Sequence, residues 1–349
     1  MKKIVSAILV ILMIASLSGC LGKSTNQAAS VGTGYPGVEF VEFYPINTKV
    51  PQGSDVVLYY AIQNNGYFDA EKVQVTLYNC GDIKTGTHSW WAEKDYNCNL
   101  PAMVTGENLR MPDRDQGVSG EVADAEVSLR TNLANIPVGD SPHTFSARLE
   151  YNYLTTATRD VVFTTFDNWK EKGGNIQTGI LQSSSKPAPI SVSINAPEQP
   201  IIITKDSDKN AQAQDFTVAV QIRNDGGGYL KGKELSHVDL CYDSGLISVS
   251  DPKDFVDCNV DLDPCCDVIQ KTGGQECLCV SADGASKLIM VGLTNQWRDV
   301  SAIFSPLIDE TETPHKSAVM VQDVSNFGST VEYTYLSDES TRLTLTRTS

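Results

Sequence analysis

Residues 50–78 read Val50-Pro-Gln-Gly-Ser-Asp-Val-Val-Leu-Tyr-Tyr-Ala-Ile-Gln-Asn-Asn-Gly-Tyr-Phe-Asp-Ala-Glu-Lys-Val-Gln-Val-Thr-Leu-Tyr78. Apolar side chains occupy alternate positions in two runs, Val56 to Ile62 and Val73 to Leu77. A period of two places one face of a strand in a core and the other in solvent. Asn64-Asn65-Gly66 separates the runs, and Asn-Gly supplies the positive φ that a tight turn between strands requires. The stretch therefore predicts two adjacent strands of an antiparallel sheet.

The same pattern recurs along the chain, which predicts an all-β protein. One alternation runs from Phe145 to Tyr153, and another runs from Phe216 to Ile222 before a second Asn-x-Gly at Asn224. The two halves also end alike, because Leu149-Glu-Tyr-Asn-Tyr-Leu-Thr-Thr-Ala-Thr-Arg159 matches Val331-Glu-Tyr-Thr-Tyr-Leu-Ser-Asp-Glu-Ser-Thr-Arg342 in its two tyrosines and its final arginine. Such self-similarity indicates a duplicated unit.

The first half resembles the CARDB-type module, an immunoglobulin-like domain of prokaryotic surface proteins, including archaeal ones. The residues that carry the resemblance are Gly53, Asn64 or Asn65, Gly66, Ala70 and the strand that follows. The second half keeps Asn224 and Gly226 but lengthens the turn and inserts a cysteine-rich segment. The resemblance implies seven-stranded sandwiches at a cell surface and says little about a ligand.

The N-terminus has the features of an export signal with a lipid anchor. Lys2 and Lys3 precede an apolar run over residues 4–17, which is shorter than the about 20 residues that span a bilayer as a helix. Leu17-Ser-Gly-Cys20 resembles a lipobox, in which the cysteine is acylated and cleavage occurs before it. A plain signal peptide that contains a cysteine, or a retained anchor helix, is the alternative.

A chain of 349 residues exceeds what one core usually serves, which predicts two domains. The fold that we expect is two tandem immunoglobulin-like β-sandwiches after a signal peptide and a flexible tether. The predicted segments are the signal peptide at 1–19, the lipidated tether at 20–36, the first sandwich at 37–170, a Gly/Ser/Pro-rich linker at 171–189, and the second sandwich at 190–349 with a cysteine-rich insert at 241–279.

Cysteine usage supports export to an oxidising compartment. With Cys20 set aside for the lipid, two cysteines remain in the first half and six in the second. Even numbers are expected if each half closes its own disulfides, although the pairing within the second set stays open. Zinc ligation is the alternative, but Cys265-Cys266 and Cys277-x-Cys279 lack the usual gap between paired ligands. The predicted disulfide cysteines are Cys80, Cys98, Cys241, Cys258, Cys265, Cys266, Cys277 and Cys279.

One string has a catalytic appearance, Gly139-Asp140-Ser141 followed by His143. In esterases that use a Gly-Asp-Ser nucleophile, the serine follows a buried parallel strand and its histidine comes from far along the chain. Here the string directly precedes the Phe145 run, where a polar turn is expected. We therefore predict no enzymatic activity, with a hydrolase that uses Ser141 as an alternative.

Two further segments are candidates for binding. Trp90 and Trp91 cannot both face inward on a strand, so one is a possible contact for a protein or glycan, unless both pack within their loop. A second segment is rich in carboxylates that calcium favours, but it lacks the Gly and bidentate Glu of known calcium loops, so we interpret it as a solvated acidic loop without a metal. Its aspartates are Asp251, Asp254, Asp257, Asp261, Asp263 and Asp267, with Asp206 and Asp208 as a smaller cluster.

The net charge of −16 repels phosphate backbones and excludes nucleic acid as a partner. The sequence thus predicts a non-enzymatic lipoprotein without a cofactor, anchored to the cell membrane outside the cytoplasm. We expect it to act as a structural or adhesive module with a protein or glycan partner. A solute-binding or accessory lipoprotein of a transporter or secretion complex is the alternative, and it predicts a deep pocket.

Overall fold

The computed structural model consists almost entirely of β-strands in the residues that it describes, and the predicted all-β sandwich fold is confirmed. The described residues are 37–51, 53–80, 105–130, 138–176, 183–205, 211–257, 275–289, 296–309, 316–317 and 321–347. All of them belong to one compact unit.

The strands follow the alternation in the sequence. Those of the first half are β1 (Val38–Pro45), β2 (Lys49–Pro51), β3 (Asp55–Asn64), β4 (Ala70–Cys80), β5 (Thr105–Leu109), β6 (Val122–Arg130) and β7 (Gly139–Thr165). The connection to the second half contains the helix α1 (Phe166–Glu171), whose first turn is capped by the Thr165 hydroxyl.

The second half contains more and shorter elements. Its strands are β8 (Ser184–Ser185), β9 (Ile190–Asn195), β10 (Ile201–Lys205), β11 (Ala211–Gln212), β12 (Phe216–Asn224), β13 (Tyr229–Leu230), β14 (His237–Asp243), β15 (Ile247–Asp251), β16 (Phe255–Asp257), β17 (Gln275–Val280), β18 (Arg298–Pro306), β19 (Ile308–Asp309), β20 (Lys316–Ser317) and β21 (Gln322–Arg347). A 3₁₀ turn at Lys231–Lys233 and the helix α2 (Ala282–Lys287) complete the described elements.

Two small sheets lie against a larger one that both halves build. The sheet β1-β3-β6 belongs to the first half, the sheet β15-β18-β12-β9 belongs to the second, and a 12-stranded sheet contains strands of both. Alternate residues of the small sheets, such as Leu58 and Val220, are buried in a core cluster with Leu149 and Val331 of the large sheet. Sheets that bury alternate side chains against each other form sandwiches.

The two halves are joined by a ladder between β7 and β21, which we call the seam. These strands have 27 and 26 residues and pair antiparallel at 26 consecutive positions, from Gly139 opposite Arg347 to Thr164 opposite Gln322. The C-terminal end of β7 pairs with β10 of the second half, and the C-terminal end of β21 pairs with β2 of the first. The sandwiches therefore share strands, and each half contributes a strand end to the other.

The duplicated tyrosines meet in the middle of the seam. Tyr151 lies opposite Tyr335 and Tyr153 lies opposite Tyr333, with ring centroids 5.9 and 6.2 Å apart. Asn152 lies opposite Thr334 at the centre, so the repeated segments are related by an approximate twofold axis through this pair. All four tyrosines are buried, and together they form the core where the two sandwiches join.

Each Asn-x-Gly turn is fastened to one of these tyrosines. The hydroxyl of Tyr153 accepts hydrogen bonds from the backbone N–H groups of Tyr67 and Phe68, at 3.0 and 3.2 Å. A Cβ on Gly66 would lie 1.7 Å from that hydroxyl, and the φ of Gly66 is not positive. The predicted reason for this glycine was therefore wrong: the turn needs a residue without a side chain because the tyrosine approaches its backbone.

The second half repeats this arrangement. The Tyr335 hydroxyl accepts from Gly228 N at 2.9 Å and donates to Asn224 Oδ1 at 3.0 Å. A Cβ on Gly226 would lie 2.2 Å from the same hydroxyl. The buried amide of Asn224 also accepts from Gly226 N and donates to Gly228 O, as Asn64 does with Gly66 and Phe68 in the first half.

Candidate functional site

The face of the seam that points away from the tyrosines carries polar side chains in cross-strand pairs. Arg148 lies opposite Asp338, Ser146 opposite Ser340, and Asn152 opposite Thr334. Each pair is in contact: the two serine hydroxyls are 2.9 Å apart, and Thr334 Oγ1 donates to Asn152 Oδ1 at 2.8 Å. Directly opposed side chains are the unit of sheet stabilisation, so this face is held rigid by its own pairs.

Four residues of this face, Tyr78, Arg148, Tyr229 and Asp338, form a cluster that we call the seam platform. Arg148 binds Asp338 through two hydrogen bonds, Nε to Oδ1 at 2.9 Å and a terminal guanidinium nitrogen to Oδ2 at 3.1 Å. The guanidinium also lies 4.7 Å from the centre of the Tyr78 ring and 5.5 Å from that of Tyr229. Since the four residues come from β4, β7, β13 and β21, the cluster exists only where both halves meet.

The platform is open to solvent and electrostatically balanced. The hydrogen bonds that Arg148 donates to Asp338 raise the pKa of Arg148, while burial and then the charge of Asp338 raise the pKa of Tyr78 and of Tyr229. Tyr78 remains 38% exposed, and the Arg148 side chain 37%. Tyr229 is half-buried. Solvent-accessible tyrosines next to an ion-paired arginine are typical of contact surfaces, because aromatic faces and hydrogen-bonding groups are offered together without a large loss of side-chain freedom.

A second feature, which we call the α2 cavity, opens between the start of β14, the end of β17 and α2. It has a volume of about 360 Å³. Its apolar lining residues are Leu235, Val238, Val280, Ala282, Ala285, Leu288 and Ile289, and its polar ones are Glu234, Ser236, His237 and Ser286. Six of these eleven residues are exposed, so the α2 cavity is an open pocket at the surface and not an enclosed chamber.

Asp254 fixes the helix that walls this cavity. Its carboxylate accepts from Lys287 Nζ at 2.5 Å and from Ser301 N at 3.0 Å, and its carbonyl accepts from the backbone and hydroxyl of Ser281, the residue that caps α2. A Cβ on Gly284 would lie 2.3 Å from Asp254 O, so the helix and this loop are in direct backbone contact. Burial with these partners holds α2 against the sandwich.

This result corrects the interpretation of the acidic segment. Asp254 is 8% exposed and paired, so it is a structural residue and not part of a solvated loop. Asp251, by contrast, is exposed and accepts from Lys253 N. Among the described residues no group of three or more His, Cys, Asp or Glu side chains is arranged to hold a metal. The remaining predicted aspartates of these clusters that lie outside the described residues are Asp206, Asp208, Asp261, Asp263 and Asp267.

His237 and Asp239 form a buried pair beside the cavity that sequence reasoning missed. Their side chains are 5% and 4% exposed, and His237 Nε2 lies 3.5 Å from Asp239 Oδ2. Asp239 Oδ1 accepts from Thr330 N at 2.5 Å, whereas neither ring nitrogen of His237 has a hydrogen-bond partner among the described residues. The signal in the sequence was His-x-Asp on a strand, where a spacing of two places both side chains on one face.

The disulfide prediction is confirmed for one pair. Cys241 and Cys277 lie directly opposite each other in β14 and β17 and are bonded. Cys279, two residues further along β17, is disulfide-bonded as well. Both of these paired strands contribute residues to the lining of the α2 cavity, so the disulfide joins two of the strands that border it.

The remaining predicted disulfide cysteines are not placed by the described side chains. Cys80 ends β4, and its side chain lies outside the description. The other residues of the predicted sites that lie outside the described residues are Cys20, Trp90, Trp91, Cys98, Cys258, Cys265 and Cys266.

Ser141 and His143 occupy a regular strand. They lie opposite Leu345 and Leu343 within the seam, so the predicted polar turn at this position is wrong. Since a Gly-Asp-Ser nucleophile stands on a sharp turn after a parallel strand, a position inside an antiparallel ladder lacks the backbone geometry of that chemistry. In the described part of the chain, no helix has the length and apolar character needed to cross a membrane.

The fold and these sites define an all-β sandwich protein with an aromatic platform at the seam and an open pocket beside α2. No family model matches the chain, and no curated protein matches it. A solved structure titled BspA_C_mut is similar over 90% of this chain and 98% of its own, at 7% identity and a TM-score of 0.13, which is too low to carry an argument about fold or function. The resemblance to CARDB-type modules therefore stays a prediction.

Proposed function

We propose that this protein is a non-enzymatic, lipid-anchored cell-surface module that holds or adheres to a protein or glycan partner through the seam platform. The observation that carries the proposal is the platform itself, in which the exposed Tyr78 and the half-buried Tyr229 flank an arginine–aspartate pair. Tyr and Arg dominate the residues that contribute most to binding at interfaces. The seam behind the platform is a continuous ladder, so the contact groups are held in place before a partner arrives, which lowers the entropic cost of binding.

The location rests on the N-terminal pattern and the cysteines. Lipidation of Cys20 would leave the tether 20–36 between the membrane and the first strand, and a polar segment rich in small residues is suited to that role. A disulfide between Cys241 and Cys277 supports an oxidising compartment, since such bonds are rare in reducing ones.

Mass spectrometry of membrane-extracted protein tests the location. We expect an N-terminal lipidated Cys20 and oxidised cysteines, and we expect a Cys20→Ala variant to leave the membrane fraction. Recovery of unprocessed Met1 together with free thiols at Cys241 and Cys277 would refute both export and anchoring.

Binding to a glycan array and to immobilised envelope fractions tests the platform. The double variant Tyr78→Ala/Tyr229→Ala removes both aromatic faces and is expected to lose binding at least tenfold, because each buried aromatic contact contributes about 1 kcal/mol or more. Tyr44→Ala is the matched control, since Tyr44 is equally exposed, at 39%, on the sheet β1-β3-β6. Equal loss in the control, or undiminished binding by the double variant, would place the contact elsewhere.

The α2 cavity favours a second candidate, a solute-binding lipoprotein. This class requires a pocket that holds a small ligand, and the α2 cavity, an open pocket with a volume of about 360 Å³, has the size of such sites. The two candidates differ in a measurable way, because a solute-binding protein loses its ligand when the cavity is filled and not when the platform is changed.

A further inference from the structure

We propose that the outward face of the sheet β1-β3-β6 binds a basic segment of a partner protein, which presents arginine or lysine side chains to it. We call this surface the acidic face, and its residues are Glu42, Tyr59, Asp124 and Glu126. It is separate from the seam platform and from the α2 cavity, so the inference goes beyond both candidate functions.

The register of the three strands brings these residues together in two rows. Tyr59 of β3 lies directly opposite Glu126 of β6. The next row, two positions along each strand, consists of Glu42, Ala61 and Asp124. Directly opposed residues share one face of a sheet, so all of these side chains point to the same side.

Both rows face solvent and not the core. The neighbours of Tyr59 on β3, Leu58 and Tyr60, are buried in the core, and successive side chains of a strand point to opposite faces. The three carboxylate residues of the acidic face are exposed, and Tyr59 is half-buried. A partner therefore reaches the face without any rearrangement of the sandwich.

The charge of this face is negative and is not balanced by the strands that build it. Together, β1, β3 and β6 contain one basic residue, Arg130, which ends β6 and lies opposite Asp55. Within the described part of the chain, the carboxylates of Glu42, Asp124 and Glu126 take part in no ion pair. A basic partner is complementary to such a face, whereas an acidic one is repelled.

Tyr59 adds an aromatic contact in the middle of these charges. Burial and then the charges of Asp124 and Glu42 raise the pKa of its hydroxyl, which shows that the carboxylates surround it. Tyr44 packs against the ring with centroids 5.3 Å apart and holds it in place. A guanidinium or ammonium group is attracted to an aromatic face, and nearby carboxylates accept its hydrogen bonds.

The spacing of the rows favours an extended protein segment over a free small cation. Rows that are two residues apart along a strand are separated by about 7 Å, and basic side chains at alternate positions of an extended segment repeat at the same ~7 Å. One segment therefore places a cation over each row, and the linked contacts reinforce each other. A free cation on an open surface makes one contact, which salt screens.

Calorimetric titration and methyl NMR of the full-length folded protein test the proposal with a blocked hexapeptide in which arginine and serine alternate. We expect a dissociation constant of about 1 mM or lower at low ionic strength, with shifts of the methyl signals of Ala61 and Val57 on this side of the sheet. The same peptide with citrulline, which has the shape of arginine without its charge, should not bind measurably. Spermidine, with the same three positive charges, should bind about fivefold more weakly.

Two variants of equal net charge separate the acidic face from the charge of the whole protein. Glu42→Gln/Asp124→Asn should weaken the arginine peptide about tenfold, because it removes both carboxylates beside Ala61. Glu198→Gln/Asp299→Asn is the matched control, since it removes two exposed carboxylates of the second half, and its affinity should stay within about twofold of the parent. Tyr59→Leu keeps an apolar side chain and should weaken the peptide about threefold.

Four results would overturn the inference: methyl shifts that appear elsewhere or nowhere, equal loss in the two charge variants, a citrulline peptide that binds as tightly as the arginine peptide, or spermidine that does so. Equal loss would mean that the peptide follows the net charge of −16, and tight spermidine binding would mean a small cation in place of a protein segment. Should one variant fail to fold, the probe series and the methyl shifts on the parent protein still decide.

Discussion

Gly66 and Tyr153 should be energetically coupled, because the glycine leaves the space that the tyrosine hydroxyl occupies. A Cβ at position 66 would lie 1.7 Å from Tyr153 Oη and 2.8 Å from its Cζ. Both distances are shorter than real Cβ contacts allow, so Gly66→Ala must displace the ring or the turn. The displacement also breaks the bonds that the hydroxyl accepts from Tyr67 N and Phe68 N.

The magnitudes follow from these contacts. Overpacking in a core costs about 1–3 kcal/mol, and two lost hydrogen bonds add about 1 kcal/mol each, so Gly66→Ala should lower the free energy of unfolding by about 3–5 kcal/mol. Tyr153→Phe removes the same two bonds without the clash and should cost about 2 kcal/mol. In the double variant the bonds are lost once and the shortest contact is gone, so the cost should be about 2–4 kcal/mol smaller than the sum.

Chemical denaturation of the four proteins, followed by tyrosine fluorescence and far-UV circular dichroism, measures this cycle. Gly226→Ala and Tyr335→Phe provide an independent repetition in the second half, where the Cβ would lie 2.2 Å from the hydroxyl and the clash is correspondingly milder. If the effects of Gly66→Ala and Tyr153→Phe add within about 0.5 kcal/mol, the two residues are independent and the close-approach explanation of the glycine is refuted.

Three other predictions concern the buried groups of the second half. Burial raises the pKa of Tyr335 to about 12, whereas the unfolded chain releases this proton near pH 10. The free energy of unfolding should therefore fall by about 1.4 kcal/mol per pH unit as the pH rises from 10 towards 12. Unfolding of Tyr335→Phe, measured over the same pH range, should show a shallower slope. Asp254→Ala should lower the free energy of unfolding by about 3 kcal/mol, because it leaves Ser301 N unpaired. The control Asp251→Ala, at an exposed aspartate, should change stability by less than about 1 kcal/mol. Equal effects of the two substitutions would contradict the structural role of Asp254. Cys241→Ala/Cys277→Ala should lower stability by about 2–4 kcal/mol, and reductant should lower the stability of the parent protein at least as much, because it also opens the disulfide of Cys279.

The all-β class and the repeat were readable from the sequence because both are local properties. Alternation with a period of two specifies which face of a strand is buried regardless of its partner, as at Val56 to Ile62 and at Phe216 to Ile222. The Asn-x-Gly turns were also located correctly, although the reason for Gly66 emerged only with Tyr153 in place, 87 positions along the chain. A clash with a distant side chain leaves no local signal.

The tertiary structure alone decided which strands pair, and the sites follow from that choice. The seam joins Gly139–Thr165 to Gln322–Arg347, and the seam platform brings together Tyr78, Arg148, Tyr229 and Asp338 from four strands. Alternation determines the face that a residue occupies but not the edge at which its strand finds a partner, because edge pairing depends on complementarity over the whole sheet. The sequence by itself determined the expected export signal, the cysteine pattern and the faces of the strands, because these are properties of short segments. The burial of Asp254 and the His237–Asp239 pair were decided only by the tertiary structure, because they depend on packing between segments far apart in the chain.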